Sequence, residues 1–122
     1  GVFVWEDTAA KETPDLFQRV PVTGQHTWGA NLTMPRLGAT ASSNASAVLG
    51  CGQGCEAIID TGTSLLAAPS SVIKAITVAM EALDQSCSNL DVLPELIFEL
   101  GGLEFSLPPS SYIAKVVGEA PE

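Results

Sequence analysis

Ala57-Ile58-Ile59-Asp60-Thr61-Gly62-Thr63-Ser64 runs from an apolar segment directly onto a carboxylate, then into a turn of glycine and hydroxyl residues. An apolar strand that stops on Asp, with a small residue and Gly behind it, puts the acid at the strand end rather than inside a sheet. Scaffolds commonly present catalytic side chains at such ends. Thr61 and Thr63 can hydrogen-bond locally, and Gly62 permits close backbone approach or a positive φ, so the turn can hold a charged oxygen without a metal. Two other readings fit the same letters. Asp, Gly, Ser and Thr dominate ordinary turns for conformational reasons, and some phosphate sites also run from a strand into Asp-x-Gly-Thr. Those sites continue as an alternating hairpin strand, whereas Leu65-Leu66-Ala67-Ala68-Pro69-Ser70-Ser71 leads into a helical pattern, which disfavours phosphate.

That helix is expected from about Ser71 to Leu83, where Val72, Ile73, Ile76, Met80 and Leu83 recur at helical spacing. Pro69-Ser70-Ser71 offers a start with capping hydroxyls, and the apolar residues are expected to be core. The rest of the chain is strand-like: Val2 to Trp5, Leu16 to Val22, Thr27 to Leu32, Ala47 to Leu49, Ala57 to Ile59, Leu96 to Leu100 and Leu103 to Leu107. Gly101-Gly102 reads as a tight hairpin between the last two. Residues 40 to 46 and 84 to 91 are small and polar and read as surface loops, and no internal repeat is visible. The fold class expected is mainly β with one clear helix.

Cys51-Gly52-Gln53-Gly54-Cys55 upstream of the turn can curl into a small disulfide ring, or it can stand as a reduced pair or half a metal site. Further ligands at metal spacing are missing, and the single histidine, His26, lies alone in a polar stretch, so no metal or other cofactor is expected. Two sequons, Asn31-Leu32-Thr33 and Asn44-Ala45-Ser46, are candidate glycosylation acceptors. Asn44 falls in a small polar loop; Asn31 falls in a predicted strand and is the poorer acceptor on that reading. Cysteine ring and sequons together favour a secretory route, ending outside the cell or in a lysosome or vacuole.

At 122 residues and 46% hydrophobic, the chain is long enough for one domain or a piece of one. Its net charge of −9, from 14 acidic and 5 basic side chains, argues against nucleic acid or an anionic membrane as partner. So acidic a chain loses its charge at low pH with few cations left to repel one another, which suits an acidic workplace. No apolar run approaches the ~20 residues that cross a bilayer. Gly1 opens without a signal-peptide pattern, and the chain reads as mature, trimmed or excised.

Taken in order, these motifs resemble the C-terminal lobe of the pepsin-like aspartic proteases, the pepsin and cathepsin D group. Cys51 to Pro69 is similar to that family's second active-site segment. Val20-Pro21-Val22 with Trp28, Leu93-Pro94-Glu95-Leu96-Ile97-Phe98, and Leu107-Pro108-Pro109-Ser110-Ser111-Tyr112-Ile113 match flanking family segments in the right order. The part before Leu16 matches poorly. The resemblance implies an acid endopeptidase in which two aspartates, one per lobe, activate a water. Asp60 would be one of them. Thr63 would hydrogen-bond its outer oxygen, Thr61 would reach the opposite loop, Gly62 and Ser64 would bind extended substrate backbone, and Ile58 would wall a side-chain pocket. Thr61 and Ser64 can instead simply satisfy the turn, and Ile58 can be core.

The departures from the pattern are equally specific. Only one Asp-Thr-Gly is present, so residues 1 to 122 read as a partial C-terminal lobe with the N-terminal lobe and the closing apolar-apolar-Gly-Asp segment absent. The partner expected is an N-terminal lobe or a second chain supplying the other Asp, and the chain alone is expected to be inactive. Cys87 is unpaired here, whereas the family pairs a cysteine in this place with one downstream. Thr27 stands where relatives often have Tyr. Two alternatives remain: a half-size homodimeric protease of the retroviral type, with Val116-Val117-Gly118 as a shortened closing segment, and a non-catalytic binding or inhibitor module.

Overall fold

The computed structural model describes residues 4–40, 46–81, 83–84 and 86–114. Its centre is a long strand, β1 (Gly29–Leu37), and four shorter strands arranged around it: β2 (Ala47–Val48), β3 (Cys55–Ile58), β4 (Leu96–Leu100) and β5 (Leu103–Leu107). All pairings are antiparallel. Leu32 pairs with Cys55 on one side and Leu100 on the other, and Leu37 pairs with Ala47 and Leu96. One edge of β1 therefore carries β3 and then β2, and the opposite edge carries β4 and, beyond it, β5. The described chain is mainly β, as its alternating segments imply.

Pro35 lies inside β1, where a residue without an N–H would leave a gap in the ladder. The sheet accommodates it with a bulge. Thr33 faces Glu99 and Arg36 faces Ile97, so three steps on β1 oppose two on β4. Met34, at φ 52, supplies the left-handed kink. Side chains tie the strands across this region: the Thr33 hydroxyl donates to Glu99 at 3.0 Å, and Arg36 pairs with Glu104 at 2.6 Å. The latter pair is largely solvated and contributes modestly. Phe98 and Phe105 stack with ring centroids 6.1 Å apart.

The β4–β5 hairpin closes on Gly101 and Gly102, at φ 58 and 86, the double left-handed geometry of a two-residue turn. A Cβ on Gly101 would stand 2.8 Å from Pro21 Cδ, because the Val20-Pro21 segment lies against this turn. Leu16 to Val22 is not the strand its composition suggests. Pro14–Leu16 forms a short 3-10 turn, and the extended residues beyond it join no ladder. β-branched composition permits a strand; only a partner edge makes one, and both edges of β1 are taken. Val4 and Trp5 likewise form no strand, and residues 1 to 3 lie outside the described residues.

Three helices occur among the described residues: α1 (Ala9–Glu12), α2 (Ser70–Met80) and α3 (Pro109–Tyr112). α2 is the helix expected from the apolar spacing, ending earlier than Leu83. Its cap is Pro69, not a serine, and no side chain caps it. Ser70 and Ser71 already have helical backbone, so their hydroxyls are past the capping position. No residue of α2 is buried, contrary to the core role expected of Val72, Ile73, Ile76 and Met80; Leu83, beyond it, is half-buried. The physical reason is an apolar cleft of about 260 Å³ in which Ile73, Ile76 and Met80 face Leu37, Leu96 and Tyr112 without closing on them. α3 carries Tyr112, whose hydroxyl donates to the Pro94 carbonyl and whose phenol is pushed up by burial. Among the described residues Ala30, Leu37, Leu93 and Leu100 form the buried apolar core, with Pro94 buried beside Leu93.

Candidate active site

β3 pairs with β1 from Leu32 opposite Cys55 to Gly29 opposite Ile58, and one further bond, Ile59 N–H to the Trp28 carbonyl at 2.9 Å, carries the register to the brink of Asp60. The Glu56 side chain lies over Gly29, where a Cβ would fall 2.2 Å from Oε1 and displace it. Asp60 thus begins the turn at the end of a strand anchored residue by residue.

Both oxygens of Asp60 are held. The Gly62 N–H donates to Oδ1 at 2.8 Å and the Thr63 hydroxyl donates to Oδ2 at 2.5 Å. These bonds, the Thr63 hydroxyl first and the Gly62 amide second, hold the carboxyl below the usual carboxylate range. Gly62 has no positive φ; what its missing side chain provides is proximity, since a Cβ would stand 3.1 Å from Oδ1. Asp60 and the residues from Thr61 to Pro69 are all exposed. The carboxyl group is oriented by both bonds and open to solvent, so a water can reach it.

The remaining residues singled out in the sequence divide clearly. The Thr61 and Ser64 hydroxyls make no hydrogen bond among the described residues, so neither satisfies the turn. Ile58 is 61% exposed and belongs to the surface. Cys51 and Cys55 are joined, with an S–S distance of 2.02 Å, and Gly54 N–H donates to the Cys51 carbonyl at 2.9 Å to close the ring at the head of β3. Cys87 is free and half-buried. Asn31 is an exposed residue of β1; Asn44 and Val116-Val117-Gly118 lie outside the described residues. Among the described residues no three His, Cys, Asp or Glu side chains group as a metal site would require.

Trp28 enters the sequence reading only as part of a flanking match, yet its carbonyl accepts from the Ile59 N–H, one residue before Asp60, and the residue is 73% exposed. A large exposed aromatic preceding a strand that opposes the active-site strand is the signal in the sequence that marks it.

A family model described as eukaryotic aspartyl protease matches residues 9–120. Gastricsin of Homo sapiens is similar, 38% identical over 100 residues, covering 76% of this chain and 24% of that protein. Chymosin of Camelus dromedarius is 37% identical over 106 residues, 81% of this chain and 26% of its own length. Pepsin A of Bos taurus is 40% identical over 77 residues, 57% of this chain and 21% of its own. The chain therefore spans about a quarter of the length of these relatives.

Proposed function

The chain belongs to the eukaryotic aspartyl protease family, and from that membership we propose that Asp60 is one of two catalytic carboxylates in a pepsin-like endopeptidase. The second carboxylate comes from an N-terminal lobe or a second chain, and residues 1–122 contribute part of the C-terminal lobe. The observation that carries this reading is the fixed, exposed Asp60 carboxylate, with one oxygen on the Gly62 amide and the other on the Thr63 hydroxyl.

Two carboxylates a few ångströms apart cannot both ionise cheaply, so such a pair shares one proton. A water between them loses a proton to the ionised member as its oxygen attacks the scissile carbonyl carbon. The protonated member donates to the carbonyl oxygen. The tetrahedral intermediate then collapses: the C–N bond breaks, the departing amine takes the proton that the first carboxylate drew from the water, and a hydroxyl of the intermediate returns a proton to the other carboxylate. Thr63 and Gly62, by stabilising the charged form of Asp60, favour its service as the base. Thr61, with a hydroxyl unengaged among the described residues, reaches the opposing loop. Gly62 and Ser64 bind the backbone of an extended peptide, and Ile58 walls a side-chain pocket.

The compartment that fits is oxidising, since Cys51 and Cys55 are joined: the secretory pathway, with the protein secreted or delivered to a lysosome or vacuole. The acidic surface disfavours nucleic acid and anionic membranes as partners, and no helix among the described residues is long and apolar enough to cross a membrane. The test is acid proteolysis by the complete protein and by this chain alone. The complete protein is expected to cleave a denatured protein substrate and to be blocked by a statine-type transition-state mimic, while the lone chain is inactive. Cleavage by the lone chain that rises with the square of its concentration would contradict the two-lobed reading and favour a homodimer.

A further inference from the structure

We propose that Asn31 carries an N-linked glycan whose first sugar sits in the polar groove beside the Cys51–Cys55 ring. The inference rests on the secretory-compartment reading and goes beyond it by choosing the acceptor and the seat. Asn31-Leu32-Thr33 is a complete acceptor triplet with no proline in its middle. Membership of a strand does not disqualify it. The backbone of Asn31 is fixed on both edges, opposite Glu56 on β3 and through its carbonyl to the Gly101 N–H at 2.9 Å, while its side chain is exposed. The intervening Leu32 is half-buried between its partners Cys55 and Leu100, so the pleat turns Asn31 and Thr33 together to the face opposite Leu32.

That face has room. A groove of about 430 Å³ opens between Thr23, Asn31, Gln53, Gly54, Cys55 and Glu56. Thr23, Gln53 and Glu56 bring a hydroxyl, an amide and a carboxylate to it, and none of these side chains has a hydrogen-bond partner among the described residues. Together they match the donors and acceptors of a sugar ring. Gly54 completes the seat: any Cβ there would stand 3.0 Å from Asn31 Oδ1, so glycine leaves the asparagine side chain clear of the ring.

The chemistry uses an oligosaccharide carried on a lipid pyrophosphate as donor. Asn31 Nδ2 bonds to the anomeric carbon, the carbon–oxygen bond to pyrophosphate breaks with the electron pair leaving on the carrier, and the amide nitrogen releases one proton. Transfer occurs on the extended chain, before the Thr33 hydroxyl is engaged by Glu99 in the sheet.

The experiment is to secrete the complete protein from eukaryotic cells, digest it and map its glycopeptides before and after peptide-N-glycosidase, which leaves aspartate in place of a glycosylated asparagine. The Asn31 peptide is expected to lose the glycan mass on treatment. Asn31→Gln and Thr33→Val are each expected to abolish that loss, and Thr33→Ser to retain it. An unmodified Asn31 peptide in secreted protein whose Cys51–Cys55 bond has formed, or occupancy confined to Asn44, would overturn the proposal while leaving the compartment reading intact. Reduced Cys51 and Cys55 in protein from its natural source would overturn both. For the seat, protein trimmed to a single sugar at Asn31 is expected to resist reduction of the Cys51–Cys55 bond several-fold longer than sugar-free protein; equal rates would remove the sugar from the groove.

Discussion

At Asp60, two donors from adjacent residues, the Gly62 amide and the Thr63 hydroxyl, meet one carboxylate, and the consequence is electrostatic. The Thr63 hydroxyl is the larger cause of the lowered pKa, so Thr63→Val is expected to raise the Asp60 pKa toward the ordinary carboxylate range, and Thr63→Ser to leave it low, in a carbon-13 titration of the carboxyl. An unchanged titration in the valine variant would contradict the assignment. The folded pKa lies below the unfolded one, so these bonds favour the folded chain above the ordinary carboxylate range. That contribution fades as pH falls through the lowered pKa, and it is small because the group is fully exposed. Asp84 shows that such a shift does not by itself make a site. Its carboxyl is also lowered, by the Ser88 hydroxyl first, but its bonds run to Ser86 and Ser88 and merely tie up its own loop. The position of Asp60 was legible in the sequence because a strand end followed by Thr-Gly-Thr is a local signal. The state of Thr61 and Ser64 was not, since what a hydroxyl bonds to is decided by neighbours in space, and here it has none among the described residues.

Among the elements, the β4–β5 hairpin and the cysteine ring are set by local chemistry and can be tested locally. Gly102→Ala is expected to lower unfolding stability by about 1–2 kcal/mol through its left-handed backbone alone, since a Cβ there meets nothing. Gly101→Ala should cost more, because its Cβ also meets Pro21 and Val20. Equal costs in denaturant unfolding would mean that the Val20-Pro21 segment does not pack on the turn. Opening the ring with the pair Cys51→Ala and Cys55→Ala removes a short covalent loop, worth about 2 kcal/mol in chain entropy, and the same unfolding measurement reads it. Gly101-Gly102 announced its turn and the i, i+4 apolar spacing announced α2. Leu16 to Val22 and the bulge at Met34-Pro35 were harder, because whether a segment joins a ladder, and where the ladder slips, depends on strands distant in sequence.

The whole molecule has more apolar surface than it can cover. Among the described residues, Leu65 is 78% exposed and Leu66 59%, on the segment after the active-site turn, at the cleft under α2. Such a face in water favours association. The chain in isolation is therefore expected to bind an anilinonaphthalene sulfonate dye and to lose that binding when the proposed partner lobe is added; a lone chain that excludes the dye and unfolds in one sharp transition would be self-sufficient, contrary to that expectation. The composition allowed a core but could not reveal how little of it would close, because that depends on what lies across the cleft.

The proposed mechanism stands or falls on Asp60 as a reacting carboxylate. Its most direct test is the turnover of a peptide substrate at acidic pH by the complete protein carrying Asp60→Asn, a change that keeps the shape of the side chain and removes its charge. In that variant kcat is expected to fall by roughly 10²–10⁴-fold or more while a statine-type peptide still binds; turnover retained near the unsubstituted level would mean that Asp60 takes no part in the chemistry.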